Sequence, residues 1–158
     1  MVNEIKLNDR LPSFSLEATI SNTCSETDLL GHWTVLFIYP KDNTSGCTRE
    51  TKEFNERYSD FKSSGIRVFG LSKDTLTSHI SFSRKLDLQF SLISDPQTQL
   101  IQKLNAWKEK SMYGKKYMGA ERSTFLIDEN LTIKNIWRKV KVDGHVDQVF
   151  DKCRELIQ

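Results

Sequence analysis

Trp33-Thr-Val-Leu-Phe-Ile-Tyr39 narrows the possible folds more than any other stretch of this chain. Its residues are almost all apolar, β-branched or aromatic, and they leave no polar side to face water. Such a run reads as a strand covered on both faces, which requires further layers of structure above and below it. Pro40 ends the run, because its ring cannot donate to a sheet ladder. Residues 45–62 then set Cys47, Thr51, Phe54, Tyr58 and Phe61 at spacings of 4, 3, 4 and 3. That is one apolar stripe of a helix, with Cys47 in its first turn. Gly65 supplies a stop.

The alternation continues along the chain. Phe14–Thr19 alternates apolar and polar, as a half-buried strand does, and Ile66–Leu71 is a second buried strand. Thr75–Leu86 predicts a helix with Leu76, Ile80 and Phe82 or Ser83 inward. Phe90–Ile93 predicts a short strand, and a helix is expected over about residues 97–104. Residues 105–121 show no clean period and read as a loop. Ser123–Asp128 and Leu131–Trp137 flank Glu129-Asn130 as a hairpin, and Val146–Ile157 is amphipathic at helical spacing. Strands alternating with helices predict a three-layer α/β domain, a central mixed sheet with helices on both faces.

At 158 residues the chain fits a single domain over 1–158. Lys plus Arg number 23 and Asp plus Glu 21, a net +2 that is too weak to imply nucleic acid or an anionic membrane as partner. No apolar run approaches the roughly 18 residues of a membrane span. MVNEIKLNDRLPSF lacks the apolar core of a secretory signal, so the expected location is cytoplasmic. Cys24, Cys47 and Cys153 are widely spaced and form no metal-ligand pair, so no metal or cofactor is expected. In a reducing compartment all three are expected as thiols.

Cys47 is the residue that carries chemistry. It lies where a buried strand turns into a helix, the place where open α/β sheets bind ligands. The free N–H groups of a first helical turn favour an anion there. A thiol so placed is pushed toward thiolate, below its free value of about 8.5. The plainer alternative is a small buried side chain in the helical stripe. Thr44 offers a hydroxyl in the same turn, Pro40 can exclude water, and an arginine from elsewhere would stabilise the thiolate.

Pro40-x-x-x-Thr44-x-x-Cys47 matches the active-site pattern P-x-x-x-T/S-x-x-C. Together with FIYPKDNTSGCTRET, WKEKSMYGKKYMGAERSTFLID and the opening DRLPSFSLEA, it resembles the peroxiredoxins, in particular the bacterioferritin-comigratory-protein or peroxiredoxin Q branch. The resemblance spans nearly the whole chain. It implies a thioredoxin-like fold with an N-terminal β extension. It also implies reduction of hydrogen peroxide and organic hydroperoxides without metal or haem. Under it Cys47 is the peroxidatic cysteine, Thr44 bonds the peroxide, Pro40 shields the site, and Arg122 holds the thiolate and peroxide oxygens. Members of this branch are often monomers.

The chain departs from many relatives at regeneration. Many carry a second cysteine five residues after the first, where this chain has Lys52. Others carry it in the following helix, and Thr75–Leu86 contains none. Cys153 sits outside the V-C-P segment of two-cysteine enzymes. A one-cysteine enzyme resolved by an external thiol (thioredoxin, glutaredoxin or glutathione) is the first expectation. An unusual pairing with Cys24, which reads as an exposed thiol in a polar turn, is the second. The G-G-L-G and Y-F segments of hyperoxidation-sensitive members are absent. Two readings from other classes are weighed beside these. A cysteine hydrolase would pair Cys47 with His32, His79 or His145, each of which reads as solvated. A nucleic-acid module would use Lys108, Lys110, Lys115 and Lys116 with Trp107, Tyr113 and Tyr117. Glu109 and Glu121 interrupt that charge.

Overall fold

A computed structural model describes residues 4–157; residues 1–3 and 158, the ends of the expected 1–158 domain, lie outside the described residues. The strands in chain order are β1 (Ser15–Ala18), β2 (Asn22–Ser25), β3 (Trp33–Ile38), β4 (Ile66–Ser72), β5 (Ser91–Ser94), β6 (Trp107–Met112), β7 (Lys115–Ala120), β8 (Ser123–Ile127) and β9 (Ile133–Trp137). The helices are α1 (Ser45–Glu56), α2 (Tyr58–Ser63), α3 (Leu76–Leu86), α4 (Gln99–Lys103) and α5 (His145–Leu156), with a 3-10 turn at Glu26–Leu29.

Seven strands form one mixed sheet in the order β2-β1-β5-β4-β3-β8-β9, and β6 and β7 pair with each other outside it. β3 runs parallel to β4 and antiparallel to β8, so the apolar run sits at the centre with both edges occupied. The parallel crossovers β3–α1–α2–β4 and β4–α3–β5 step in the same direction, which puts their helices on one face. Val35, Phe37 and Tyr39 point to that face and pack with Phe54 of α1, Phe61 of α2, Phe82 of α3 and Val149 of α5. Leu36 and Ile38 point the other way, into Leu11, Leu29, Leu100 and Ile101. β3 therefore has no solvent face, which is why it carries no polar alternation. The short α4 and the 3-10 turn cover the second face, as an α/β sheet with helices on both faces requires. β1 and β2 form the N-terminal extension at the sheet edge.

Three local expectations are corrected. The continuous helix over 45–62 breaks at Arg57 (φ −93°, ψ 3°) into α1 and α2. The Arg57 side chain binds Asp60 and Asp147 and lies over the Phe150 ring, 4.4 Å from its centroid. The loop over 105–121 is the β6–β7 hairpin, turned at Tyr113-Gly114 with φ of 53° and 79°. Most of its residues face water on both sides, so it has no hydrophobic alternation to read. The polar turn at 21–25 contains β2, in which Cys24 is buried rather than exposed.

Candidate active site

The loop after β3 delivers Cys47 to the first turn of α1, on the helix-bearing face of the sheet. Thr44 is the N-cap residue, but its hydroxyl does not cap. It donates instead to the Lys41 carbonyl at 3.0 Å. That leaves first-turn N–H groups beside Cys47 without a side-chain acceptor and leaves the Thr44 oxygen free to accept a hydrogen bond. Pro40 is half-buried at the start of the loop, and Thr44 is exposed at the surface. The Cys47 residue itself is 1% exposed.

Arg122, between β7 and β8, reaches this turn from the opposite side of the chain. Its Nη2 lies 3.4 Å from Cys47 Sγ, and its Nη1 donates to Glu50 Oε1 at 2.7 Å. The close approach depends on Gly46, where an added Cβ would stand 3.2 Å from Arg122 Nη2. Glu50 is fully buried and its Oε2 has no hydrogen-bond partner. Burial pushes its carboxyl up to about 7, and the attraction of Arg122 only partly offsets this. The site is thus electropositive: a guanidinium lies beside the sulfur, at a helix start whose first-turn amides no side chain caps. It can hold a sulfur anion and two further oxygens, the charge pattern of attack on an O–O bond.

Comparisons with known proteins identify the family. The AhpC/TSA family profile matches residues 7–136. A putative peroxiredoxin bcp of Coxiella burnetii is 41% identical over 148 residues, covering 94% of this chain and 98% of that one. The peroxiredoxin Bcp of Bacillus subtilis is 36% identical over 96% of this chain and 97% of its own. The chain belongs to the AhpC/TSA family. Among solved structures, a mutant of the Xylella fastidiosa peroxiredoxin Q superposes with a TM-score of 0.93 at 36% identity, covering 99% of both chains. The bacterioferritin comigratory protein of Xanthomonas campestris superposes at 0.88 with 37% identity, covering 92% of both. The fold is therefore thioredoxin-like, and the protein is a peroxiredoxin, a thiol peroxidase that takes a peroxide substrate and electrons from a thiol.

In this peroxiredoxin the other two cysteines stand well apart from Cys47. Cys24 lies on β2, four strand positions from β3, roughly 19 Å at about 4.8 Å per strand. It packs into the core on the opposite face of the sheet. Burial first, and the Asp28 charge second, push its thiol up to about 12. Cys153 on α5 borders Ser64 and Ile66, by the entry to β4, whereas Cys47 follows the exit of β3. Burial pushes the Cys153 thiol up to about 12 as well. Lys52 is exposed on α1.

Two of the three histidines depart from expectation. His32 is exposed, as the sequence suggests, but His79 and His145 are buried. Each sits on a helix among residues whose types gave no burial signal, and each is satisfied by a partner brought from another element. His79 Nε2 donates to the Ile93 carbonyl at 2.9 Å, and Nδ1 meets Asp42 Oδ2 at 2.8 Å. His145 Nε2 bonds Thr124 Oγ1 at 2.7 Å. Neither imidazole bonds the Cys47 sulfur, so the nucleophile–base pair of a cysteine hydrolase is not assembled among the described residues.

Asp42 also accepts from Tyr39 Oη at 2.7 Å and Ser78 Oγ at 2.8 Å. Its burial alone would raise the carboxyl, but the bonds from His79, Tyr39 and Ser78 hold it below the usual range. With Asp74 these groups bring ligand atoms within 4.8 Å of one another. Asp42 already meets Tyr39, Ser78 and His79, and His79 Nε2 is turned to the Ile93 carbonyl. The cluster works as a lock between the β3–α1 loop and α3. Sequence reasoning missed Glu50, Gly46 and this lock. Only Glu50 left a signal, since it lies three residues after Cys47 and four before Phe54, inside the apolar stripe.

Proposed function

We propose that the enzyme reduces hydrogen peroxide and organic hydroperoxides through a sulfenic acid on Cys47, and that an external thiol regenerates it. The Cys47 thiolate attacks one peroxide oxygen in line with the O–O bond. That bond breaks as the S–O bond forms, and the second oxygen leaves as water or an alcohol after taking a proton. Arg122 and the first-turn amides stabilise charge on sulfur and on both oxygens. Thr44 accepts the peroxide O–H, and Pro40 keeps bulk water off the sulfur. The observation that carries this reading is the 3.4 Å approach of Arg122 Nη2 to a cysteine at an uncapped helix start. The Xanthomonas campestris relative is described as reducing alkyl peroxides, which supports the same substrate class here.

One-cysteine chemistry is favoured by position. A disulfide needs Cα atoms within about 7 Å, and Cys24 is on the far face of the sheet. The thiols of Cys24 and Cys153 are raised to about 12 and form little thiolate at neutral pH. The three thiols are free, as suits a reducing cytoplasm. Cys47→Ser should abolish peroxide consumption with the fold intact, and turnover retained in that variant would refute the assignment.

A further inference from the structure

The β6–β7 hairpin is the part of the molecule that the peroxide reaction leaves unexplained. Residues 107–120 hold four lysines and one glutamate, a net +3, so the other residues together sum to −1. Four of the eight large apolar side chains exposed among the described residues are here: Met112, Tyr113, Tyr117 and Met118. Tyr113 is 98% exposed at a left-handed φ of 53°, a conformation that costs a bulky residue stability and gains it no contact within the chain.

The strand register sorts these residues by face. Lys110 pairs with Tyr117, Met112 with Lys115 and Lys108 with Gly119, so all of them lie on one face. Glu109 is on the other face, where it meets Lys116 at 3.6 Å. The first face therefore carries three lysines and no carboxylate. It also borders the active site. β7 leads directly into Arg122, and the charges of Arg122 and Cys47 both bear on the half-buried Lys110.

We propose that this face, with Lys108, Lys110, Met112, Lys115 and Tyr117, docks the regenerating reductant, a protein dithiol whose attacking cysteine is ringed by carboxylates and apolar side chains. The proposal rests on external regeneration of Cys47. From Lys108 to Met112 the patch runs about 14 Å along the strands, beyond the roughly 10 Å reach of a tripeptide thiol. Its apolar residues would go unused by a small thiol. A second copy of this chain would set one +3 hairpin against another. The chemistry balances: one reductant thiol attacks Cys47 Sγ, and the sulfenic oxygen leaves as water with that thiol's proton. The second reductant thiol then attacks the mixed disulfide, releasing the Cys47 thiol and an oxidised dithiol.

The test follows reduction of the Cys47 sulfenate by stopped flow, with a bacterial thioredoxin, a glutaredoxin, glutathione and dithiothreitol as reductants. The parent is compared with a Lys108→Glu/Lys115→Glu double variant and with Tyr117→Ser. We expect each variant to cut the second-order rate with the best protein reductant about tenfold or more. The rate with dithiothreitol should stay within about twofold, and added salt should slow the parent with the protein reductant but not the charge-reversed variant. Unchanged rates with the protein reductants would overturn the proposal. So would an equal loss with dithiothreitol, or a parent that small thiols reduce and neither protein does. A dimer or an oligonucleotide complex abolished by the same variants would assign the face to another occupant. A parent sulfenate that no thiol reduces would overturn external regeneration itself, and the docking proposal with it.

Discussion

Glu50 and Gly46 control how Arg122 meets the sulfur, and neither touches it. With its proton on, Glu50 leaves the guanidinium charge to Cys47; ionised, it competes for that charge. Because burial raises Glu50 to about 7, this competition switches within the physiological range. The pH profile of Cys47 oxidation should show an inflection near 7 that Glu50→Gln removes, since glutamine still accepts from Arg122 but cannot titrate. An inflection surviving in Glu50→Gln would assign it to another group. At Gly46 a methyl group would push Arg122 Nη2 by a few tenths of an ångström. Gly46→Ala should slow peroxide oxidation by about threefold to tenfold, with thermal stability unchanged or slightly raised. Stopped-flow rates beside melting curves read both effects.

The sheet and its helices are tied by buried groups whose demands are just as local. On β4, a Cβ at Gly70 would stand 2.7 Å from Leu92 Cδ2 and 3.0 Å from Phe37 Cζ. Gly70→Ala should therefore destabilise by about 1–3 kcal/mol in denaturant titrations through overpacking, despite the lower chain entropy of alanine. At the start of α5, His145 packs edge-on against Phe54 and Trp137 and bonds Thr124. Burial first, and the Arg122 charge second, push it down to about 4. Between about 4 and 6.5 the unfolded chain holds a proton that the folded chain has shed, so this group makes stability rise with pH. His145→Asn should flatten that rise, read as melting temperature against pH. Glu50 acts in the opposite sense: between 4.5 and about 7 the folded chain keeps the proton, and stability falls with pH. The two trends oppose each other in the parent, so each single variant should unmask the other.

For the molecule as a whole, Cys24 lies in the core on one face of the sheet, and Cys47 and Cys153 lie in the core on the other. One equivalent of peroxide should add a single oxygen to Cys47, seen by mass spectrometry as a sulfenate or its trapped adduct. The two-hydrogen loss of an internal disulfide should not appear. Cys24→Ser and Cys153→Ser should oxidise at the parent rate, and a Cys24–Cys47 bridge would refute the one-cysteine reading. A long-lived sulfenate also exposes Cys47 to over-oxidation, so excess peroxide without reductant should drive it on to the sulfinic state.

The layered α/β frame was legible in the order of residues alone, because a strand apolar on both faces must be covered twice. That order also marked Pro40, Thr44 and Cys47 as candidate site residues, because they are close along the chain and their spacing is read locally. Which charges come together depended on the folding of distant segments onto one another. Arg122 reaches Cys47 across 75 residues, Glu50 turns from a helix-stripe residue into its buried counter-charge, and His79 gains Asp42 from a loop 37 residues away. Burial of these groups depends on partners that no local pattern encodes. The β6–β7 hairpin escaped notice for the opposite reason. Most of it faces water, so the hydrophobic period that marks other strands never arises there.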